Sequence, residues 1–314
     1  MIVHHQTEDL PAFRHAIVTI GTFDGVHRGH GRIIEQMKKE ARSVDGETVI
    51  MTFHPHPRKV VPGREDGIRL LTTMEERIML LGRMGIDHLV VIPFTEAFAS
   101  MDATAYVRDF LVEKFHPHTI IIGYDHRFGK DRAGDYQLLE EMAPMYRYRV
   151  REIDAQLLDD VSISSTRIRE ALQRGDISTA TDLLGYPYFF EGFVVEGDKR
   201  GRTIGYPTAN LELTDPEKLL PGNGVYAVQV QIKDGEFSGK TFGGMMNIGV
   251  RPTVDGRSVR TEIHLFDFDG IIYGNTLHVQ LRQYIRGEKK FSGLDALQLQ
   301  LSRDKQLALT WLQG

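Results

Sequence analysis

Apolar positions in the first half of the chain form short continuous runs, and stretches of helical periodicity separate them. Ile17 to Ile20, Thr48 to Phe53, His88 to Ile92 and Thr119 to Ile122 read as strands of the fully buried kind, and Tyr146 to Val150 reads as a fifth. Between them, Ile33, Ile34, Met37 and Ala41 recur at helical spacing. Thr72-Thr-Met-Glu-Glu76 offers a capping box in two registers for a helix running to Met84, and Asp102 to Phe115 is amphipathic. Strands alternating with helices predict an α/β domain with a doubly wound parallel sheet.

Gly185-Tyr-Pro-Tyr188 interrupts this rhythm. Beyond it, Phe193 to Val195, Val225 to Ile232, Thr261 to Phe268 and Leu277 to Leu281 are short segments of strand type between glycine-rich turns. They predict an all-β domain closed into a small six-stranded barrel. A terminal helix follows, capped by Ser292-Gly-Leu-Asp295 and striped by Leu294, Leu297 and Leu301. The expected division is residues 1–184 and 185–314.

A length of 314 residues is ample for two cores. Net charge of −5 supplies no general basic field, so nucleic acid and membrane surfaces are not expected partners and any phosphate binding must be local. The absence of cysteine excludes disulfides, thiolate metal sites and cysteine nucleophiles, which suits the cytoplasm. The first residues lack the basic and apolar regions of a secretion signal, and no apolar run approaches the ~20 residues of a spanning helix.

Chemistry concentrates in a few stretches. Strand, glycine turn and helix meet in Gly21-Thr-Phe-Asp-Gly-Val-His-Arg-Gly-His30, which sets His27 and His30 on one face of a helix mouth. Free N–H groups and the positive dipole end make that mouth an anion site, although a histidine pair is also an ordinary surface feature. Thr52-Phe-His-Pro-His-Pro57 ends the next strand and brings His54 and His56 to the same sheet edge. Gly123 to Asp135 is a loop dense in glycine and charge. Ile163-Ser-Ser-Thr-Arg167 joins capping hydroxyls to a guanidinium at a second helix start.

In the second half, Asp198-Lys-Arg-Gly-Arg-Thr-Ile-Gly-Tyr-Pro-Thr-Ala-Asn210 places Arg200 and Arg202 in a glycine loop, and Thr208 and Asn210 after it. Alone it reads as a polar hairpin end, yet hydroxyl and amide oxygens also suit Mg²⁺ beside substrate phosphates. Glu262 and His264 share one strand face. A strand glutamate commonly faces solvent, but this one is also a candidate proton acceptor, expected to face into the barrel. Two decoys are set aside. Gly235 to Thr241 has three residues between its glycines where a P-loop needs four, and Gly222 to Ala227 runs into a strand instead of a helix.

Taken in order, these motifs resemble the bacterial bifunctional riboflavin kinase/FMN adenylyltransferases. They are Gly21 to His30, Thr52 to Pro57, Gly123 to Gly129, Ile163 to Arg169, Gly205 to Asn210, Asn247 to Thr253, and Glu262 with Phe266-Asp-Phe-Asp-Gly270. The first also matches the His-x-Gly-His signature of nucleotidyltransferases. The resemblance implies two ATP-dependent, Mg²⁺-requiring reactions, riboflavin to FMN in the barrel and FMN to FAD in the α/β domain. It implies that Glu262 is the kinase base, that Thr208 and Asn210 serve Mg²⁺, and that Gly197, Arg200, Gly201 and Arg202 close over ATP. His27 and His30 would meet the second triphosphate, with Gly21, Thr22, Phe23, Asp24 and Asp125 lining its site and Ser164, Ser165, Thr166 and Arg167 holding pyrophosphate. Arg286 would border the flavin. His54 and His126 depart from the acidic residue and phenylalanine of many relatives. Self-association is compatible with the sequence and not derivable from it. The alternatives are a single-activity adenylyltransferase whose barrel only binds, and a non-catalytic flavin or nucleotide sensor.

Overall fold

The computed structural model describes residues 1–61, 67–123, 126–153, 163–197, 201, 204–253 and 256–313. By internal contacts the chain forms two compact units, Met1–Ser165 and Thr166–Gly314.

In the first unit, β1 (Ile2–His4), β2 (Ile17–Ile20), β3 (Thr48–His54), β4 (His88–Pro93), β5 (Thr119–Gly123) and β6 (Arg149–Ile153) form one sheet in the order β1-β4-β3-β2-β5-β6. Every pairing is parallel. The longer helices are α1 (Arg28–Val44), α2 (Met74–Arg83), α3 (103–115, π-helical over Tyr106–Val112) and α4 (Tyr136–Tyr146). Burial on both faces explains the unbroken apolar runs: Val18, Ile20, Val49, Met51, Val90, Ile92, Ile120 and Ile122 join Val107, Phe110, Leu111 and Leu139 in one core. On the other side α1 packs over β2, β3 and β5, burying Ile34 and Met37.

From β2 the chain winds outward through β3 and β4, then returns to place β5 on the other side of β2. The carboxyl ends of β2 and β5 therefore flank the switch point, where open α/β sheets bind ligands.

Three details differ from the sequence-based expectation. The sheet gains β1, an edge strand of only three residues whose Ile2 is exposed, too short to register as a pattern. Tyr146 ends α4 and Arg147 caps it in the left-handed region, so β6 starts at Arg149. Tyr148, counted with the strand, instead donates its hydroxyl to Leu139 O in the turn. The capping box of α2 uses the Thr73–Glu76 register, leaving Thr72 for another bond.

The second unit opens with α5 (Ser165–Gln173, its first residue still in the first unit) and α6 (Ile177–Leu184). Both pack with the barrel: Gly222 N donates to Leu172 O, and Gly175 lies against the Tyr284 ring. The barrel strands are β7 (Phe189–Val195), β8 (Ala209–Leu213), β9 (Gly224–Ile232), β10 (Thr241–Thr253), β11 (Gly256–Leu265) and β12 (Thr276–Arg286). They close antiparallel in the order β10-β11-β8-β7-β12-β9. Alternation fills the interior with Phe190, Tyr226, Val228, Val230, Met246, Ile248, Ile263, Val279 and Leu281, all nearly fully buried.

β10 escaped the pattern because Gly243, Gly244 and Gly249 punctuate it. At Gly244 a Cβ would come within 2.8 Å of His264 O, so the strand pairing itself requires the missing side chain. Finally, α7 (Leu294–Leu312) lies on the outer wall, packing Ala308 and Leu312 against Ala227, Met245 and Phe266. Its N-cap is Gly293 and, among the described residues, no side chain caps it, so the expected Ser292 cap does not form.

Candidate functional site

In the first unit the stretch after β2 is held in an unusual backbone path. Phe23 (φ 48°), Gly25 (φ 83°) and Val26 (φ 36°) all lie in the left-handed region, which costs free energy for the two non-glycine residues and requires outside support. Asp24 supplies much of it. Fully buried, its carboxylate accepts from Leu71 N (3.2 Å), Thr72 N (3.0 Å) and Thr72 Oγ1 (3.2 Å), while Gly25 N donates to Thr72 Oγ1 (3.0 Å). Asp24 thus ties the turn to the start of α2, and its side chain does not line an open site as expected. Gly21 lies against the Phe23 ring and Thr22 O accepts from Thr52 Oγ1 at 3.0 Å, so both remain on the turn that the nucleotide would meet.

The turn delivers His27 as N-cap of α1, its Nδ1 accepting from His30 N at 3.4 Å. The two imidazoles stack, with centroids 3.7 Å apart and planes 14° apart, and Phe23 approaches His30 at 4.7 Å. Gly29 is what admits this stack: a Cβ there would press on His27 Nδ1 at 3.1 Å. Burial first, then His27 and Arg77, push the His30 imidazole well below its ordinary 6.5, so it is neutral at pH 7. Its Nδ1 is buried with no hydrogen-bond partner among the described residues. A neutral ring with an unpaired nitrogen at a helix mouth has a hydrogen bond to give a ligand.

Neighbouring expectations divide. His54 is exposed at the end of β3, whereas His56 is buried and accepts from Arg58 N at 3.2 Å, capping a turn of helix. Ser165 Oγ, on the last residue of the first unit, donates to Asp24 O at 2.9 Å, and Ser164, Thr166 and Arg167 are its neighbours in the chain. Asp125 lies outside the described residues, as do Arg200 and Arg202. A cavity of about 390 Å³ lined by Lys38, Arg42, Asp45, Thr48 and Asp87 opens at the other end of the strands, away from the histidines.

In the second unit the expected constellation assembles on the outside of the barrel. Thr261 and Ile263 point inward, 4% and 0% exposed, so half-buried Glu262 between them points outward. This corrects the expectation of an interior carboxylate: the interior is already filled by apolar side chains, and a lone charge there would be uncompensated. Register makes Asn210 on β8 and Asn247 on β10 the two neighbours of Glu262, a row of amide, carboxylate and amide across three strands. Asn247 opens one of the motifs that carry the resemblance, yet the expected site gives it no role, because only the strand pairing sets it next to Glu262.

Close backbone approaches shape the same wall. A Cβ on Gly197 would lie 2.0 Å from Asn210 Nδ2, and one on Gly201 would lie 2.2 Å from Tyr206 O and 3.4 Å from Thr208 Oγ1. His264, on the same face as Glu262, donates from Nδ1 to Pro207 O at 2.8 Å and so fixes the residue before Thr208. Burial lowers its pKa, outweighing the bond to Pro207 O, which acts in the opposite direction. Among the described residues no cluster of three or more His, Cys, Asp or Glu forms a metal cage. The hydroxyl, amide and carboxylate oxygens of Thr208, Asn210 and Glu262 do fit a hard divalent cation that keeps water and phosphate in its remaining positions. Arg286 is committed elsewhere. Its Nε and Nη2 contact the Asp304 carboxylate of α7 at 2.7 to 3.0 Å, and Nη1 donates to Gly287 O.

Residues 10–167 match the family model for FAD synthetase, and residues 184–312 match that for riboflavin kinase. A bifunctional riboflavin kinase/FMN adenylyltransferase from Listeria monocytogenes is 36% identical over 291 residues, spanning 92% of this chain and 90% of its own length. The protein of the same name from Escherichia coli K12 is 37% identical over 289 residues, with the same coverages. The chain belongs to the bifunctional riboflavin kinase/FMN adenylyltransferase family. A crystal structure described as a macrolide-efflux protein from Streptococcus pneumoniae has this fold as well, with a TM-score of 0.87, 33% identity and 99% coverage of both chains. Among the described residues no helix is long and apolar enough to cross a membrane. In this member of the bifunctional family, the FAD synthetase match ends within α5 and the riboflavin kinase match begins on the last residue of α6.

Proposed function

We propose that this chain makes FAD in two ATP-dependent steps, FMN formation on the barrel of the second unit and adenylyl transfer at the glycine turn of the first. Membership of the bifunctional family makes it a riboflavin kinase and an FMN adenylyltransferase. The residue roles are our reading, and two separate observations support them most: the Asn210–Glu262–Asn247 row in the second unit and the stacked His27–His30 pair in the first.

In the first step Glu262 accepts the proton of the riboflavin 5′-hydroxyl as its oxygen bonds to the γ-phosphorus of ATP and the bond to the β-phosphate oxygen breaks. Gly197, Arg200, Gly201 and Arg202 close over ATP, while Thr208 and Asn210 hold Mg²⁺, which when bound neutralises phosphate charge. Positioning and electrostatics carry most of such a transfer.

In the second step an FMN phosphate oxygen attacks the α-phosphorus of another ATP and pyrophosphate leaves. That nucleophile is already anionic, so no strong base is required. His27 and His30 donate hydrogen bonds where charge grows, Gly21, Thr22 and Phe23 border the nucleotide, and Ser164, Ser165, Thr166 and Arg167 hold the leaving group. Functionally the adenylyl-transfer domain is residues 1–184 and the kinase domain 185–314. Asp125 contributes from the loop after β5, and Arg286, held by Asp304, braces α7. Small molecules are the partners, with no role for nucleic acid, and the cytoplasm, where ATP is abundant, is the expected compartment.

Incubating the purified chain with riboflavin, ATP and Mg²⁺ and separating the flavins by chromatography tests the proposal. FMN should appear first and FAD after it, and both should vanish with chelator. No FMN, or FMN that never becomes FAD, overturns it.

A further inference from the structure

Arg77 on α2 is 2% exposed, one of the largest fully buried side chains, and the functional reading above gives it no task. A buried guanidinium is costly and persists only where neighbours compensate it. Here the compensation comes from the nucleotide turn. Nη1 donates to Thr52 Oγ1 at 3.1 Å, and Thr52 Oγ1 in turn donates to Thr22 O at 3.0 Å. Nη2 stands 3.9 Å from Asp24 Oδ1, close enough for charge attraction. Nε is buried with no partner among the described residues. One planar cation thus touches both arms of the 21–25 turn, the Thr22 arm through Thr52 and the Asp24 arm directly.

That turn carries left-handed Phe23 and runs straight into left-handed Val26, so its shape needs support from beneath. Its shape in turn sets where His27 caps α1 and where the ring of His30 stacks. We propose that Arg77 is a positioning residue for adenylyl transfer, whose guanidinium fixes the 21–25 turn, and with it the His27–His30 pair, from below. The arginine fork matters because one planar group reaches Thr52 and Asp24 together, whereas a lysine ammonium at the end of a shorter chain cannot span both. The charge also reaches the site: with burial and His27, Arg77 is one of three influences that keep His30 neutral.

The inference rests on the assignment of adenylyl transfer to the first unit, and the two fail separately. Wild-type protein that cannot convert FMN to FAD sinks the assignment. An active wild type with indifferent variants sinks only the role of Arg77. The variants are Arg77→Lys, which keeps the charge, Thr52→Val, which keeps the shape, and their combination. Because the riboflavin kinase reaction belongs to the other unit, FMN formation by the same sample controls for protein amount, and an unchanged melting transition of the first unit controls for its fold.

For each single variant, kcat for FAD formation should fall about tenfold or more while KM for ATP moves less than about threefold, as displaced transition-state donors predict. The double variant should lose little beyond the worse single one, since both changes cut one chain of contacts. Thr52→Val is close to isosteric and keeps the test alive should Arg77→Lys melt. Wild-type kcat in Thr52→Val, fully additive losses, or equal loss of FMN and FAD formation would overturn the proposal.

Discussion

Asn210 and Glu262 are direct cross-strand partners on β8 and β11, both on the outer wall of the barrel. Placing an amide and a carboxylate at one register position brings together the pair proposed to handle metal and proton without any residue leaving its strand.

Replacing Glu262 with Gln keeps the shape of that pair and removes its basicity. FMN formation should drop about a hundredfold or more, while FMN-to-FAD conversion stays near wild type. His30→Ala should do the reverse, cutting FAD formation by about a hundredfold and sparing FMN formation. Chromatography of both flavins from each variant checks the pair of outcomes, and loss of both reactions in either folded variant would refute one activity per unit.

Gly197→Ala puts a methyl where the Asn210 amide stands, 2.0 Å away. The side chain can swing aside, so the barrel should melt as before, but Asn210 leaves its place next to Glu262. FMN formation should then need about tenfold more Mg²⁺ for half-maximal rate, by the logic that a displaced ligand weakens the ion it orients. Metal titration of the kinase rate measures it.

The buried Asp304 carboxylate is answered by Arg286, whose side chain is 21% exposed, and by Gln300 at 2.9 Å. Arg286→Met leaves that carboxylate poorly compensated midway along α7 and should cost about 3 kcal/mol of barrel stability. Urea unfolding followed by the fluorescence of Trp311, the only tryptophan, which lies on α7, reads the change. Arg286→Met with Asp304→Asn should recover part of it.

His30 titrates well below 6.5, chiefly because it is buried. Between its folded value and 6.5 the unfolded chain binds more protons, so stability rises with pH through that window, is complete above it and is lost as the solution is acidified. Burial lowers His4 and His118 in the same direction. The melting temperature of the first unit should therefore fall below about pH 6.5, and His30→Gln should flatten the fall without abolishing it. Calorimetry from pH 5 to pH 8 decides between these slopes.

Much of this was legible in the amino-acid order. Continuous apolar runs mark β2 to β5 because parallel strands are buried on both faces, and the glycine turn before His27 marks a helix mouth. What escaped depended on partners distant in the chain. β10 reads as broken because its glycines make room for His264 O and for Leu312, which the sequence does not place beside them. Asp24 looks like a ligand until Leu71 and Thr72 are seen to take its oxygens, and Arg286 looks like a flavin contact until α7 brings Asp304 to it. The inward or outward sense of Glu262 turns on which half of an alternation the closed sheet encloses, and a single strand cannot reveal that.

Ile263 and its apolar neighbours fill the barrel while Glu262 stands on the wall, so the side chains that pack the interior are a different set from the one proposed to react. A change at Glu262 can therefore leave the packed interior as it was. A lineage could let the phosphoryl-transfer chemistry decay and still inherit an intact scaffold, or retune its substrate by changing only outward-pointing positions.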